Sequence, residues 1–232
     1  MTDPKRQSGD TREKILDVAC GLFADRGYRG TTVAAICKLA QANIAAVNYH
    51  FGSKEELYRQ AWRHAHEQLI ALTPPDGGVP ASATAAERLR GRIRAGLQRG
   101  MVGESVEMRI MRSEMANPTG LLRQVIEDAI GPLRRATQDI LRELLGPRAT
   151  DLDVEFCEVC VIAPWMHVMH HRRAEKHQGL APIFREDMLE TITDRFTTYA
   201  LAGIREIRRD IEASGGKRGK EERRPRAGAK KS

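Results

Sequence analysis

The sequence has few aromatic residues, 5% of its 232 positions, and no segment with the alternating pattern of a β-strand. Alanine, leucine, glutamate and arginine instead recur at helical intervals over long stretches. We therefore expect an all-α protein. A chain of this length favours either two domains or one domain with a small appendage.

Long apolar runs are also missing. The longest, Val159 to Met169, contains a proline and a histidine and is much shorter than the ~20 residues that a membrane helix requires. The first ten residues have no apolar centre, so they do not look like a secretory signal. These observations predict a cytoplasmic protein with no membrane partner.

Cysteines and catalytic motifs are equally scarce. The four cysteines, at positions 20, 37, 157 and 160, fit reduced thiols better than a disulfide framework. The sequence has no P-loop, dinucleotide fingerprint, G-x-S-x-G or H-E-x-x-H segment, and its histidine pairs have no evident nucleophile beside them. We therefore predict a protein that is not an enzyme and that uses no cofactor.

The positive charge is concentrated at one end of the chain. The formal net charge is +7, but residues 215–232 hold eight basic and two acidic residues and therefore carry +6. The remainder carries only +1, so the total charge says little about the folded part. Because residues 215–232 include no large apolar side chain, we predict a disordered basic tail.

Four predicted helices follow one another near the N-terminus. The first begins at the capping-box pair Asp10 and Glu13 and ends at Gly27. Thr31 and Thr32 can cap a short second helix, and Asn43 opens a third helix of about two turns after a tight turn. Another capping box, formed by Ser53 and Glu56, opens the fourth helix.

The predicted organisation has four parts. A flexible arm (1–9) precedes a three-helix, helix-turn-helix unit (10–54), and the fourth helix continues to about residue 72 as a connector. A linker rich in proline and glycine then leads into a larger helical body (73–214), which contains five amphipathic segments. The basic tail (215–232) follows.

The third helix has an unusual outward face. Val47 and Phe51 lie four residues apart and face the core, which turns Ala45, Asn48 and Tyr49 outward. A helix in the major groove of DNA needs small or apolar groups for thymine methyls, polar groups for base edges and donors for phosphates. The residues that supply this mixture are Ile44, Ala45, Ala46, Asn48, Tyr49, His50 and Lys54. The alternative is that the tyrosine and histidine pack between helices.

This part of the chain resembles the TetR family of bacterial transcription regulators. The resemblance rests on the segments TREKILDVACGLFADRGY, TTVAAICKLA and NYHFGSKEELY, between Asp10 and Trp62. It implies that the third helix enters the major groove while the first turn of the fourth holds the DNA backbone. Tyr49, His50 and Lys54 are then assigned largely to phosphates.

The same resemblance suggests which residues lie nearest the bases. These are Ile44, Ala45, Ala46 and Asn48, and Thr32 completes the predicted DNA-contacting set. Gln41 stands where the family's turn usually has glycine, and this departure leaves the DNA sequence that is read open. The segments AVNYHF, EMANPT (114–119) and RFTTYALAGIR (195–205) resemble the CecR-like branch, whose members often control efflux.

The helical body carries soft side chains that suit a ligand cavity. Methionines recur at helical spacing in one segment, and a tryptophan with two methionines recurs in another. Such stripes often belong to a plain core, but thioethers and an indole also adapt to bulky, variable ligands. The candidate ligand contacts are Met108, Met111, Met115, Trp165 and Met169.

The last long segment predicts a subunit interface. Its apolar stripe has a three-four rhythm, and small residues around 200–203 permit close approach of another helix. By resemblance, this helix and the preceding one pair with their copies in a homodimer. The candidate interface residues are Cys160, His167, His171, Phe196, Tyr199 and Gly203. Ordinary packing within one chain is the alternative.

Two cysteines and two histidines share one helix face and raise the question of a metal site. Cys157, Cys160, His167 and His171 offer soft ligands that suit zinc or copper. One rigid helix, however, cannot wrap a tetrahedral ion with ligands spread over 14 residues. We therefore predict no metal site.

The function predicted from these features is that of a homodimeric, ligand-responsive regulator. It would repress by binding a palindromic operator in double-stranded DNA, and a small-molecule effector would release it. The alternative is a ligand-independent architectural DNA-binding protein, aided by the basic tail. Saturable release of DNA by a small molecule separates the two.

Overall fold

The computed structural model describes the backbone of residues 4–102, 105–178 and 185–221, and the side chains of 10–101, 105–168 and most of 185–214. Within these ranges the chain forms nine α-helices and no strand, as the sequence predicts. Their bounds are α1 Pro4–Gly30, α2 Val33–Ala40, α3 Ile44–Phe51, α4 Lys54–Leu72, α5 Ala85–Val102, α6 Val106–Ala116, α7 Arg123–Leu145, α8 Asp151–Gln178 and α9 Leu189–Glu221. A short 3-10 turn, Glu186–Met188, precedes α9.

Helices α1 to α4 pack around one hydrophobic cluster, with the fully buried rings of Phe23, Tyr58 and Trp62 inside it. The three helices after α1 each begin at a side chain that accepts a hydrogen bond from the first turn. These caps are Thr32, Asn43 and Ser53. The start of each helix is therefore determined locally, as the sequence predicts.

The two ends of the helical part differ from the prediction. α1 begins at Pro4 rather than Asp10, so part of the expected flexible arm is helical, although Gly27 does break the helix with a φ of 67°. α9 continues to Glu221, into the segment expected to be disordered, and residues 222–232 lie outside the described part.

A second cluster lies between α5, α7, α8 and α9, with Leu89, Leu97 and Leu141 fully buried in it. The predicted boundary at residue 73 does not divide the two clusters. Ile110 of α6 and Val125 of α7 lie beyond that boundary and belong to the first cluster. The predicted helical body therefore packs directly onto the helix-turn-helix unit. Among the described helices, none combines the length and the hydrophobicity that a bilayer-spanning segment requires.

Candidate nucleic-acid interface and ligand cavity

The orientation of α3 follows from its cap and its two core residues. Oδ1 of Asn43 accepts a hydrogen bond from the Ala46 amide at 2.7 Å, and Gly52 ends the helix with a φ of 74°. Val47 and Phe51 are 1% and 4% exposed. Because these two side chains are buried, the other face of α3 must point to solvent.

That other face carries most of the predicted DNA contacts. Tyr49 is 81% exposed and Ile44 is 54% exposed, and the remaining exposed members of the set are Ala45, Asn48 and Thr32. Tyr49 is therefore not packed between helices. His50 is half-buried, and its ring meets that of Tyr49 edge to face, with centroids 5.0 Å apart. Ala46 is also half-buried and packs against the first cluster.

Lys54, in the first turn of α4, has a partner that the sequence-based reasoning missed. Its Nζ lies 4.1 Å from the ring centroid of Tyr28, a cation–π contact. The Tyr28 hydroxyl donates to Oε1 of Glu55 at 2.8 Å, and this bond holds the pKa of Glu55 below its usual range. Burial lowers the pKa of Lys54. The only sequence signal for this arrangement was the position of Tyr28 in the segment ADRGY.

A cavity of about 520 Å³ lies in the helical body. Its wall is formed by α5, α6, α7 and α8, and α4 contributes His66 and Leu69. Of the predicted ligand contacts, Met108 and Trp165 are in the wall. The Trp165 ring packs against Gly96, where a Cβ would overlap it.

Two of the predicted ligand contacts are elsewhere. Met111 packs against the first hydrophobic cluster, and Met115 is 76% exposed. α6 lies between α1 and the cavity, so methionines at different positions around it meet different surroundings. The side chain of Met169 lies outside the described residues.

The cavity also has charged groups that the sequence-based reasoning missed. Arg92 and Arg99 line it from α5, and burial lowers the pKa of both. Glu107 lines it from α6 and is only 4% exposed. In the sequence these residues look like the solvated side of amphipathic helices, since charged residues occur all along α5.

The predicted interface residues divide between the outside and the inside of the body. Tyr199 is 75% exposed, Gly203 has open space around its Cα, and Cys160 and His167 are exposed. Phe196 is half-buried and packs against the second cluster of its own chain. The side chain of His171 lies outside the described residues.

Cys157 and Cys160 diverge on α8. The thiol of Cys157 is buried in the second cluster, and burial raises its pKa to about 11, whereas Cys160 faces solvent. α8 lies at the edge of the core, so two residues three positions apart on it, such as Cys157 and Cys160, can have different surroundings.

Comparison with known proteins finds two family matches. Residues 15–61 match the family described as bacterial regulatory proteins, tetR family, and residues 85–207 match the C-terminal domain of the HTH-type transcriptional dual regulator CecR. Among individual relatives, the biofilm operon icaADBC negative transcriptional regulator IcaR of Staphylococcus epidermidis is 42% identical over 59 residues. This match covers 25% of the chain and 32% of IcaR, so the chain spans about a third of that relative's length.

Solved structures share the fold over most of the chain. A putative transcriptional regulator from Pseudomonas aeruginosa PAO1 has a TM-score of 0.64 at 15% identity, over 89% of this chain and 96% of that one. AibR, solved with isovaleryl coenzyme A and operator DNA, has a TM-score of 0.57 at 21% identity, over 81% and 96%. At these identities the likeness shows the fold alone.

The family matches decide the class of protein. Both describe transcription regulators, in agreement with the prediction that the chain is not an enzyme, and the CecR-type match alone spans more than half of the chain. The chain belongs to the TetR family of bacterial transcription regulators, with an N-terminal helix-turn-helix domain and a C-terminal domain of the CecR type.

Proposed function

We propose that the protein is a homodimeric repressor that binds a palindromic operator and is released when a small molecule enters the cavity of the helical body. The exposed face of α3 carries the DNA-binding part of this proposal. Its opposite face is anchored by Val47 and Phe51, so α3 enters a major groove as a rigid unit. Asn48 and Ile44 then lie near the bases, while Tyr49, His50 and Lys54 contact phosphates.

The dimer is supported by apolar side chains left exposed on α8 and α9. On α8, Leu152, Phe156 and Val159 are 74%, 58% and 65% exposed, and Tyr199 of α9 is 75% exposed. The α8 residues lie three and four positions apart and form one stripe. A contiguous apolar surface of this kind suits a second copy of the same helices.

Ligand control is supported by the path of α4. Lys54 lies in its first turn at the DNA-binding surface, whereas His66 and Leu69 lie in the wall of the cavity, roughly 18–23 Å further along the helix. A ligand that shifts α4 in one subunit also moves the C-terminal end of α3, which is joined to the start of α4. This movement changes the separation of the two recognition helices. Release requires that the ligand bind the operator-incompetent arrangement more tightly.

One relative supports repression, since IcaR is a negative regulator. AibR, solved with isovaleryl coenzyme A and operator DNA, shows that this fold accommodates both kinds of ligand. Members of the CecR-like branch, which the sequence resembles, often control efflux, so we propose efflux genes as the regulated genes. The cavity favours this function over a ligand-independent architectural role, which needs none.

The test begins with DNA selected from a random-sequence pool by the full-length protein. We expect enrichment of a palindrome with half-sites about one helical turn apart. A Tyr49→Ala, Asn48→Ala double variant that remains folded should enrich no sequence, while Leu39→Ala, which changes an exposed residue of α2, serves as a matched control. Binding without sequence enrichment would contradict the proposal and favour the architectural role.

A further inference from the structure

The charged groups of the cavity do not balance one another. One set is already satisfied: Nε of Arg134 lies 3.0 Å from both oxygens of Glu158, and Gln138 donates to the same carboxylate at 2.8 Å. The charges of Arg134 and Glu158 therefore offset each other. The remaining charged groups of the wall are Arg92, Arg99 and Glu107, together with His66.

The two arginines on α5 are short of partners. They lie seven residues, or two helical turns, apart on the same face of the helix. Arg92 donates to the carbonyl oxygen of Leu133 at 3.2 Å, and the buried Nε of Arg99 has no hydrogen-bond partner. Among the side chains that the structure describes, neither guanidinium has a carboxylate within salt-bridge distance.

Electrostatic effects agree with this geometry. Burial lowers the pKa of Arg99, the attraction of Glu107 opposes that shift, and the charge of Arg92 adds to it. Arg92 and Arg99 carry like charges in the same cavity wall, so each disfavours the charge of the other. Since an uncompensated buried charge is costly, a ligand that brings a negative charge between them would be stabilised.

Glu107 does not cancel this excess. Its Oε1 lies 3.5 Å from Nδ1 of His66, while its Oε2 and that Nδ1 have no hydrogen-bond partner. The His66 ring stacks on Trp62, with centroids 5.1 Å apart, so it is held in place beside the carboxylate. Glu107 attracts Arg99, and Asp76, which is not among the lining residues, attracts Arg92. The lining itself holds three arginines and two carboxylates, so it has a net positive charge.

We propose that the cavity binds an amphipathic organic anion, with its carboxylate beside Arg92 and Arg99 and its apolar body along Met108, Ile162 and Trp165. The Trp165 ring packs on Gly96, between the two arginines along α5, so an apolar surface lies next to the cationic groups. A volume of about 520 Å³ suits a drug-sized molecule. This inference rests on the proposed ligand-responsive function and specifies the chemistry of the effector.

The test compares three probes of equal chain length, decanoate, decan-1-ol and decylamine, by titration calorimetry of the full-length protein at neutral pH and below their micelle concentrations. We expect decanoate to bind about tenfold or more tightly than decanol, and decylamine to bind more weakly than either. Arg92→Gln or Arg99→Gln should weaken decanoate binding about tenfold and leave decanol binding unchanged. Glu107→Gln should tighten decanoate binding, because it removes a like charge.

Matched controls separate binding from folding. Arg88 lies on the same helix, is paired with Glu143 and is not in the cavity wall. Arg88→Gln should therefore leave the affinity for decanoate unchanged. Without ligand, Arg99→Gln should melt at the same or a higher temperature than the unaltered protein, since it removes a desolvated charge. A structural role for Arg99 would instead lower the melting temperature.

Several outcomes would overturn the inference. These are equal affinity for decanoate and decanol, a higher affinity for decylamine, no binding of any probe, and a decanoate affinity that neither arginine substitution changes. Release of selected DNA is measured separately. If decanoate binds through the arginines but DNA stays bound at saturation, the anion site holds and the ligand-release part of the proposed function fails.

Discussion

Gln41, in the turn between α2 and α3, has a left-handed backbone conformation with φ 53° and ψ 38°. Among the described residues it alone combines a positive φ with a side chain other than glycine's hydrogen. This conformation costs about 1–2 kcal/mol for most L-residues. The position where the sequence departs from the family's usual glycine is therefore one where the backbone favours glycine.

Replacing Gln41 by glycine should raise the free energy of unfolding by roughly 0.5–1 kcal/mol, because the relief of strain exceeds the extra entropy of the unfolded chain. Urea denaturation monitored by circular dichroism measures the change. Gln41→Ala keeps the Cβ and should give no gain. Equal stability of the glycine and alanine variants would show that the turn is not strained.

Lys54 provides the second prediction at the residue scale. Lys54→Met keeps an unbranched side chain over the Tyr28 ring but removes the charge that is expected to meet a phosphate. Operator and random DNA should both be bound more weakly, and the slope of log affinity against log salt should fall by about one unit.

Lys54→Arg is the control for this change, since it keeps both the positive charge and a cation–π contact with Tyr28. Fluorescence anisotropy over a range of salt concentrations measures the slope for all three proteins. A folded Lys54→Met protein with unaltered affinity and slope would remove Lys54 from the DNA contacts.

At the scale of elements, the packing of α5 against α8 depends on a glycine. Gly96 lies in the interior of α5, where glycine is unfavourable for a helix, yet a Cβ there would overlap the ring of Trp165. Gly21 lies inside α1 and has no atom within 4 Å of an added Cβ. Replacing either glycine by alanine should favour the helix by a similar amount, but only at Gly96 does another side chain occupy the space of the new Cβ.

Gly21→Ala should therefore stabilise the protein by about 0.5–1 kcal/mol, whereas Gly96→Ala should destabilise it by about 1–3 kcal/mol. Chemical denaturation gives both values, and tryptophan fluorescence should change in Gly96→Ala because the Trp165 ring must move. If both variants were stabilised alike, α8 would be free to shift away from α5.

At the scale of the whole molecule, the proposed dimer determines how the protein reads DNA. A single recognition helix of eight residues reaches few base pairs, so specificity requires two copies held at a fixed separation. The exposed side chains of Phe156 and Tyr199 are the proposed apolar contacts between the copies.

Phe156→Glu and Tyr199→Glu should each convert the protein to monomers, because burying a charge in an apolar interface is costly. Sedimentation velocity measures the mass, and palindromic DNA should be bound at least tenfold more weakly. Leu39→Glu, a change of another exposed apolar residue on α2, should leave the dimer intact. Persistence of the dimer in both interface variants would mean that the copies meet through another surface.

The sequence by itself determined the features that depend on neighbouring residues. Asn43 and Ser53 cap the helices that they were predicted to cap, and of the two candidates Thr31 and Thr32 it is Thr32 that caps α2. A capping bond joins residues three positions apart, so it is visible in the sequence. The buried positions of Val47 and Phe51 follow from helical spacing alone, and with them the exposed face of α3. The all-α class followed from the same local patterns, and the family followed from the resemblance of three segments to known members.

Only the tertiary structure decided which side chains meet in the cavity. His66, Arg99, Glu107 and Trp165 come from four different helices. Nothing in the local pattern distinguishes Arg92 and Arg99 from the ion-paired arginines of α5. The placement of Met111 against the first cluster likewise depends on how α6 packs onto α1. Helical periodicity shows that a residue is turned inward, but the surroundings that it meets there depend on helices brought together by long-range packing.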